Sequence, residues 1–405
     1  MNGYGEPVTF EQDAGQRLAA LEAAQLLRRP MTVQARRGAH IEVAGGWLVN
    51  FSSNDYLGYA DDERIREAGR RELVRSGAGA TASRLVVGNL PAHVELEHAL
   101  RDWLRVEGIC LFNSGYAANT GVLAALMGPG DVIVSDRLNH ASIIDGCKLS
   151  GAEVRIYEHL SCADLEQKLI GLAGRRSMVV TESVFSMDGD RPDLVGIAAV
   201  CERYGAGLLV DEAHALGVIG PGGRGECARQ DVVPDLLIGT FGKALGVYGA
   251  FVATTPNLAL LLWNRARSLV FTTALPPSVV AMCSAAVRLV QSADGTARRQ
   301  KLAANIAFMS ENRTINGSKS TDFTQIVSGN RTEIPTAGST HIIPIVMADQ
   351  ANVMAKAAAL RAHGMMVSPI RPPTVPVGTS RLRICLSSNH SAAEIASLLQ
   401  AIEIK

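Results

Sequence analysis

Lys243 stands in Thr-Phe-Gly-Lys-Ala-Leu-Gly (240–246), a lone cation among small and apolar residues, just past the apolar run Leu236-Leu237-Ile238-Gly239. Asp211 ends another apolar run, Leu208-Leu209-Val210, and His214 follows three residues later. An amine and a carboxylate held near one another suit a particular chemistry. The amine captures an aldehyde as a Schiff base, and the carboxylate pairs with a protonated ring nitrogen, so that the ring draws electrons. Pyridoxal 5'-phosphate offers both groups. At a separation of about 4 Å and an effective dielectric near 20, the carboxylate–pyridinium attraction is worth roughly 4 kcal/mol. That is enough to keep the ring protonated near neutral pH.

The phosphate of such a cofactor needs donors. Asn113-Ser114-Gly115-Tyr116 follows the β-rich run Ile109–Phe112 and leads into a helical stretch, 117–127. A helix start with a small Ser-Gly entrance is an anion site, and Thr240 adds a hydroxyl. His140, in Leu138-Asn139-His140-Ala141-Ser142, follows the run Val132–Ser135 and is placed to stack on the ring. Ser186, in Phe185-Ser186-Met187-Asp188-Gly189, follows the run Met178–Thr181. Each residue alone has a plainer explanation: a solvated lysine at a helix start, an aspartate N-cap, a hydrogen-bonded core histidine, a Ser-Gly cap. What joins them is that each follows a buried strand. In an α/β sheet, ligands bind outside the carboxyl ends of the strands.

The elements that must hold these residues are legible as alternation. From 52 to 287, helical patterns alternate with short β-rich runs at 109–112, 132–135, 154–157, 178–181, 208–211, 236–238 and 249–253. Several runs are apolar throughout, as expected of strands covered on both faces. The fold class predicted is α/β: a mostly parallel central sheet with helices on both faces, plus a smaller C-terminal α+β domain. The predicted boundaries are 1–51 (a helix over 11–30 stopped by Pro30, then a strand pair turning at Gly45-Gly46), 52–287 (the large cofactor-binding domain) and 288–405. Residues 312–340 are polar with little periodicity. A strand follows at 342–346, then a helix at 352–363, two more strands and a last helix from Ser391.

Composition excludes other classes. Hydrophobic residues make up 47% of the 405, so a large core is expected, and the net charge is zero, which argues against a nucleic-acid binder. Seven cysteines include no C-x-x-C pair, pointing to reduced thiols and a cytoplasmic protein. The first residues lack a signal-peptide pattern and no apolar stretch is long enough to span a membrane. Nine histidines show no H-E-x-x-H spacing, so no metal is expected. Asp211-Glu212-Ala213-His214 spells the DEAH box of an NTPase. Such a site requires an earlier phosphate loop, and Gly242-Lys243 comes later and is followed by Ala244. Gly220-Pro-Gly-Gly-Arg-Gly225 fits G-x-G-x-x-G, but no helix-forming run opens at its second glycine, so a plain glycine loop is the better reading.

Five segments in order resemble the α-oxoamine synthases, fold-type I pyridoxal-phosphate enzymes that condense an amino acid with an acyl thioester. They are Ser-Asn-Asp-Tyr-Leu-Gly (53–58), Leu-Asn-His-Ala-Ser (138–142), Val-Phe-Ser-Met-Asp-Gly-Asp (184–190), Val-Asp-Glu-Ala-His (210–214) and Thr-Phe-Gly-Lys (240–243). Ile-Arg-Pro-Pro-Thr-Val-Pro (370–376) and Gly-Thr-Ser-Arg-Leu-Arg (378–383) narrow the resemblance to the branch that joins L-alanine to pimeloyl thioester, on coenzyme A or a carrier protein, in biotin biosynthesis. The alternative is a branch using glycine and a short acyl donor. The resemblance implies roles. Lys243 carries the Schiff base and moves the substrate proton, Asp211 holds the pyridinium, and His214 and Ser186 contact the ring hydroxyl. His140 covers the ring and meets the acyl carbonyl. Ser114, Gly115, Tyr116 and Thr240 bind phosphate, and Thr272 or Thr273 reaches it from the second subunit of a homodimer with shared active sites. Asn54 and Arg371 hold the amino-acid carboxylate, Thr374 sits near it, and Arg28 contacts substrate. Glu212 is expected to point away from the ring. Gly-Ala-Gly-Ala-Thr-Ala-Ser-Arg (77–84) stands where the family often has a glycine- and serine-rich loop.

Overall fold

Short runs dominated by Val, Ile and Leu fit a pleated surface buried on both faces, and seven of them assemble into one sheet. These are β1 (Gly108–Phe112), β2 (Val132–Asp136), β3 (Glu153–Tyr157), β4 (Ser177–Glu182), β5 (Gly207–Asp211), β6 (Leu236–Thr240) and β7 (Ala250–Thr254), in the order β1-β7-β6-β5-β4-β2-β3. The computed structural model describes residues 8–312, 314–315, 318–319 and 340–403. The polar stretch 312–340 lies almost wholly outside the described residues.

The pairs β2–β3, β2–β4, β4–β5 and β5–β6 are parallel, whereas β7 runs antiparallel to both β6 and β1. All strands but β7 therefore end at the same rim. Every residue of β1, β2, β4 and β7 is buried. On one side the sheet packs against Ala118, Val122, Leu123 and Leu262, and on the other against Leu165, Leu194 and Ile197. β3 differs. It is one of the two edge strands, and unlike β1 at the other edge it leaves Val154 and Ile156 exposed. Its apolar run reflects β-propensity rather than burial on both faces.

The helix predicted over 11–30 is shorter, Phe10–Ala23. Thr9 caps it in a capping box with Gln12, and none of its residues is buried. Gln25 takes a left-handed backbone conformation (φ 56°), so the helix has stopped before Pro30 is reached. The strand pair is present as His40–Val43 and Gly46–Asn50, with Gly45 and Gly46 at φ 107° and 121° in its turn. It also joins the C-terminal part of the chain, where Met365–Met366 pairs in parallel with Val49 and Asn50. A helix, Pro277–Gln291, runs through position 288. The boundary drawn at 288 therefore falls inside a helix. Beyond it, β8 (Ile342–Ala348), β9 (Ser368–Ile370) and β10 (Ser380–Cys385) form an antiparallel sheet in the order β8-β10-β9, accompanied by the helices Gln350–Ala362 and Ala392–Glu403.

Candidate active site

The strand-end rim opens on a cavity of about 260 Å³. Lys243, Asp211, His214, His140 and Thr240 line it, together with Ser114, Gly115, Tyr116 and Asn54. Five loops from five different strands or segments thus converge as the alternation of the sequence requires. Asp211 closes β5, and Lys243 follows the neighbouring β6, where Asp211 pairs in register with Ile238.

Asp211 is held by two donors. The Ala213 N–H donates to its Oδ1 at 2.9 Å, and Asn119 Nδ2 donates to its Oδ2 at 2.8 Å. Asn119 reaches in from the helix Gly115–Leu126 and also donates to Ser142 Oγ at 3.0 Å. Lys243 is partly buried. Removal from water pushes its amine down from 10.5 to about 8, against the pull of Asp211 and Glu182. Such an amine is partly neutral near physiological pH, as a nucleophile or base must be.

His214 is buried, and its pKa falls well below the ordinary value, first by burial and then by the charges of Lys243 and Arg383. It is a neutral ring, with Nδ1 2.7 Å from the Tyr56 hydroxyl. That hydroxyl also lies 3.0 Å from Asn54 Oδ1, which in turn accepts from Arg383 Nη1 at 3.2 Å. His140 caps the helix Ala141–Ser150, accepting from the Ser142 N–H at Nδ1. Burial lowers its pKa too, against the pull of Asp211.

The phosphate end is a helix N-terminus. Ser114 is the N-cap of Gly115–Leu126 and its Oγ accepts from the Ala117 N–H. The first N–H groups of this helix are left to point outward, where an anion binds. A Cβ at position 115 would come within 2.8 Å of Thr240 Cγ2, so this close approach requires glycine. Three buried polar atoms around the cavity have no partner: Thr240 Oγ1, Asn119 Oδ1 and Glu182 Oε1. Buried polar atoms are normally paired. A polar ligand here, carrying a phosphate at one end and a cationic ring nitrogen at the other, matches both the vacancies and the charges. Pyridoxal phosphate therefore fits the residues present.

Other expected residues lie elsewhere. Ser186 does not line this cavity. Its carbonyl accepts from Arg383 Nε at 2.5 Å, so it joins the rim through the arginine that also holds Asn54. Arg371, Thr374 and Arg28 form a group of their own. Arg28 Nη2 lies 3.3 Å from both Thr374 Oγ1 and the Pro372 carbonyl, and Arg371 Nη2 donates to the Leu27 carbonyl at 2.9 Å. Arg371 lines a second cavity with Leu27 and Met354, and its Nε is buried without a partner. Thr272 and Thr273 sit beside Asn113, whose Nδ2 donates to Thr272 Oγ1 at 2.9 Å and to the Thr273 carbonyl at 3.2 Å.

Glu212 does point away from the cavity. Its carboxylate accepts from the Glu226 N–H, the Cys227 N–H and Ser183 Oγ. The DEAH spelling is therefore a coincidence of sequence, because its second acid is a structural anchor. The glycine loop 220–225 is likewise a turn, with Gly220, Gly222, Gly223 and Gly225 at positive φ. Asn119, Glu182, Tyr56 and Arg383 were missed by sequence reasoning. Glu182 carried a signal, being an acid at the end of an apolar run just as Asp211 is. Tyr56 and Arg383 stand within two of the segments that carry the resemblance, 53–58 and 378–383, whereas Asn119 carried none. Among the described residues no cluster of metal-ligating side chains occurs.

The chain belongs to the aminotransferase class I and II family, whose description matches residues 47–402. More particularly, it is 45% identical over 391 residues to an 8-amino-7-oxononanoate synthase of Anaeromyxobacter dehalogenans (strain 2CP-1 / ATCC BAA-258), covering 96% of this chain and 94% of that protein. It is 41% identical over 403 residues to the enzyme of that name from Citrobacter koseri, covering 98% and 99%. Among solved structures, serine palmitoyltransferase from S. paucimobilis with bound PLP superposes with a TM-score of 0.86 at 28% identity, covering 98% of each chain. The 8-amino-7-oxononanoate synthase of Francisella tularensis gives 0.72 at 26% identity, covering 88% of this chain and 96% of that one. The fold is that of the fold-type I pyridoxal-phosphate transferases, and the sequence resemblance to the α-oxoamine synthases is borne out.

Proposed function

We propose that this protein joins L-alanine to a pimeloyl thioester, carried on coenzyme A or a carrier protein. Carbon dioxide and the free thiol are released, leaving 8-amino-7-oxononanoate for biotin synthesis, and pyridoxal 5'-phosphate is the cofactor. The observation that carries this reading is the meeting of Lys243 and Asp211 in one cavity from the ends of adjacent parallel strands. The choice of alanine and a pimeloyl donor rests on the names of the relatives.

The cofactor, when bound, supplies an electron sink for the α-carbon of the amino acid. The chain's own residues do the rest. Lys243 would hold the cofactor, and its Nζ would take the α-proton of the amino acid and later return one, a task suited to an amine drawn down toward neutrality. Asp211, fixed by Asn119 and Ala213, keeps a positive charge on the ring nitrogen. His214, kept neutral and oriented by Tyr56, would meet the ring hydroxyl, and Ser186, held at the rim through Arg383 rather than in the cavity lining, would approach the same hydroxyl. His140 covers the ring and hydrogen-bonds the acyl carbonyl. Ser114, Thr240 and the Gly115 and Tyr116 N–H groups hold the phosphate. Asn54 would hold the substrate carboxylate from the cavity, and Arg371, with Thr374 and Arg28 beside it, would reach that carboxylate from the adjoining second cavity.

The working unit is a homodimer in which Thr272 or Thr273 reaches the phosphate of the other copy. Exposed Leu85, Val86, Val87 and Phe271 support this, since such residues suit an interface. A cytoplasmic setting is supported by seven cysteines without a disulfide. No described helix is long and apolar enough to cross a membrane.

The test is a grid of amino acids (alanine, glycine, serine) against pimeloyl, acetyl and palmitoyl thioesters, followed by thiol release and product mass. The expected result is preference for alanine with the pimeloyl donor. Preference for glycine with acetyl thioester would move the protein to the glycine-using branch. Nucleotide hydrolysis without a yellow cofactor would refute the whole reading.

A further inference from the structure

His159 plays no part in the chemistry above, yet it sits between two acids. Its Nδ1 lies 2.8 Å from Asp136 Oδ1 and its Nε2 lies 2.9 Å from Asp190 Oδ2. An ionised carboxylate only accepts hydrogen bonds, so both ring nitrogens must donate and the ring is an imidazolium. Burial opposes that charge. The bonds and charges of Asp136 and Asp190 outweigh it and raise the ring from 6.5 to about 10. Phe185 meets the ring edge-on, with centroids 4.4 Å apart.

The two acids belong to two strand-end loops. Asp136 closes β2, and its Oδ1 also accepts from the Leu138 N–H at 2.8 Å, two residues before His140. Asp190 closes the loop that carries Ser186, where the Phe185 N–H donates to the Asp190 carbonyl and the Gly189 N–H donates to the Phe185 carbonyl. The far side of this second loop is held from β10. Arg381 pairs with Asp188, and Arg383 Nε donates to the Ser186 carbonyl. His159 is thus the tie between the Ser186 loop and the His140 loop.

We infer that His159 is a positioning residue whose two carboxylate bonds set the relative placement of the His140 and Ser186 loops, and so of the groups facing the bound cofactor. The inference rests on the active-site reading above and adds a residue outside the cavity to it. Losing one bond lets the two loops shift against each other, and displacements near 1 Å are costly in catalysis.

The test compares His159→Gln, Asp190→Asn and Ser186→Ala as holoenzymes, measuring kcat and KM for alanine, the visible absorbance spectrum without substrate, and Tm. His159→Gln keeps one donor and loses the other. Asp190→Asn leaves the bond to Asp136 in place and weakens the tie to the Ser186 loop, because the charged acceptor becomes a neutral amide oxygen, so it serves if the first variant fails to fold. The proposal expects each to lower kcat roughly tenfold to a hundredfold and to shift the cofactor band in the direction Ser186→Ala shifts it. Unchanged kcat and spectrum in His159→Gln and Asp190→Asn, with or without a lower Tm, would overturn it. If Ser186→Ala shifts the spectrum in that case, only the His159 proposal fails. If Ser186→Ala is also silent, the placement of Ser186 against the cofactor fails with it.

Discussion

Asp211 and Glu212 are neighbours in the chain and both are buried, yet they end in opposite kinds of surroundings. Pleating turns successive side chains to opposite faces, so Asp211 faces the cavity and Glu212 faces the packed side. The same alternation sends Glu182 to the cavity and Ser183 to Glu212, because Glu182 pairs in register with Asp211. On the packed side every partner is made: Glu212 accepts three hydrogen bonds from Glu226, Cys227 and Ser183. On the cavity side polar atoms are left over on Glu182, Asn119 and Thr240, whereas burial displaces ionisable groups on both sides, Lys243 and Glu182 on this one and Glu212 on the other. One side spends its polarity on the fold. The other holds it for a ligand.

That contrast can be broken most forcefully at Lys243. Lys243→Ala should lower turnover by roughly a thousandfold or more and abolish the absorbance band of the covalently held cofactor, while the apo-protein remains folded by circular dichroism. The neighbouring acids come next. Asp211→Asn should lower kcat/KM by about a hundredfold or more with little change in apo Tm. Glu212→Gln should do the reverse, costing about 1–3 kcal/mol in denaturant unfolding and leaving kcat/KM within roughly threefold. If both variants lose activity and stability together, the two sides are not distinct.

The pH dependence of the cofactor-free protein sharpens the same point. Burial, and then the charge of Asp211, raise Glu182 from 4.5 to about 8. The folded chain therefore keeps a proton that the unfolded chain has lost. This stabilisation is present below pH 4.5 and falls away as pH rises through about 8, with a slope of at most about 1.4 kcal/mol per pH unit. Glu182→Gln should flatten the loss measured by denaturant titration between pH 5 and 8. The smallest expected effect is at the hydroxyls. Thr240→Ala removes an oxygen with no partner in the protein, so apo stability should hold while cofactor affinity falls about tenfold. Ser183→Ala removes a bond to Glu212 and should cost about 1 kcal/mol in the apo-protein.

Much of this was legible before any coordinates. All seven strands of the main sheet coincide with the β-rich runs, six because a strand covered by packing needs little but apolar residues and β3 through its β-branched residues alone. The chemistry was legible where it follows a strand: Lys243, Asp211, His140 and Ser114 all reach the cavity as their positions in the alternation require. What stayed hidden arrives by tertiary packing. Asn119 lies within a helix, and only the approach of that helix to β5 brings its amide to Asp211. Arg383 comes from β10, and no spacing in the chain links it to Asn54. Alanine and leucine favour helix locally and predict it as far as Pro30, whereas the helix buries none of its residues and ends at Ala23.

The central claim is that Lys243 is the amine that grips the cofactor within this cavity. Borohydride reduction of the holoenzyme, followed by proteolysis and mass mapping, tests it directly. A single phosphopyridoxyl adduct on Lys243, lost in Lys243→Ala, is the result expected. An adduct on another lysine, or none from a yellow protein, would contradict it.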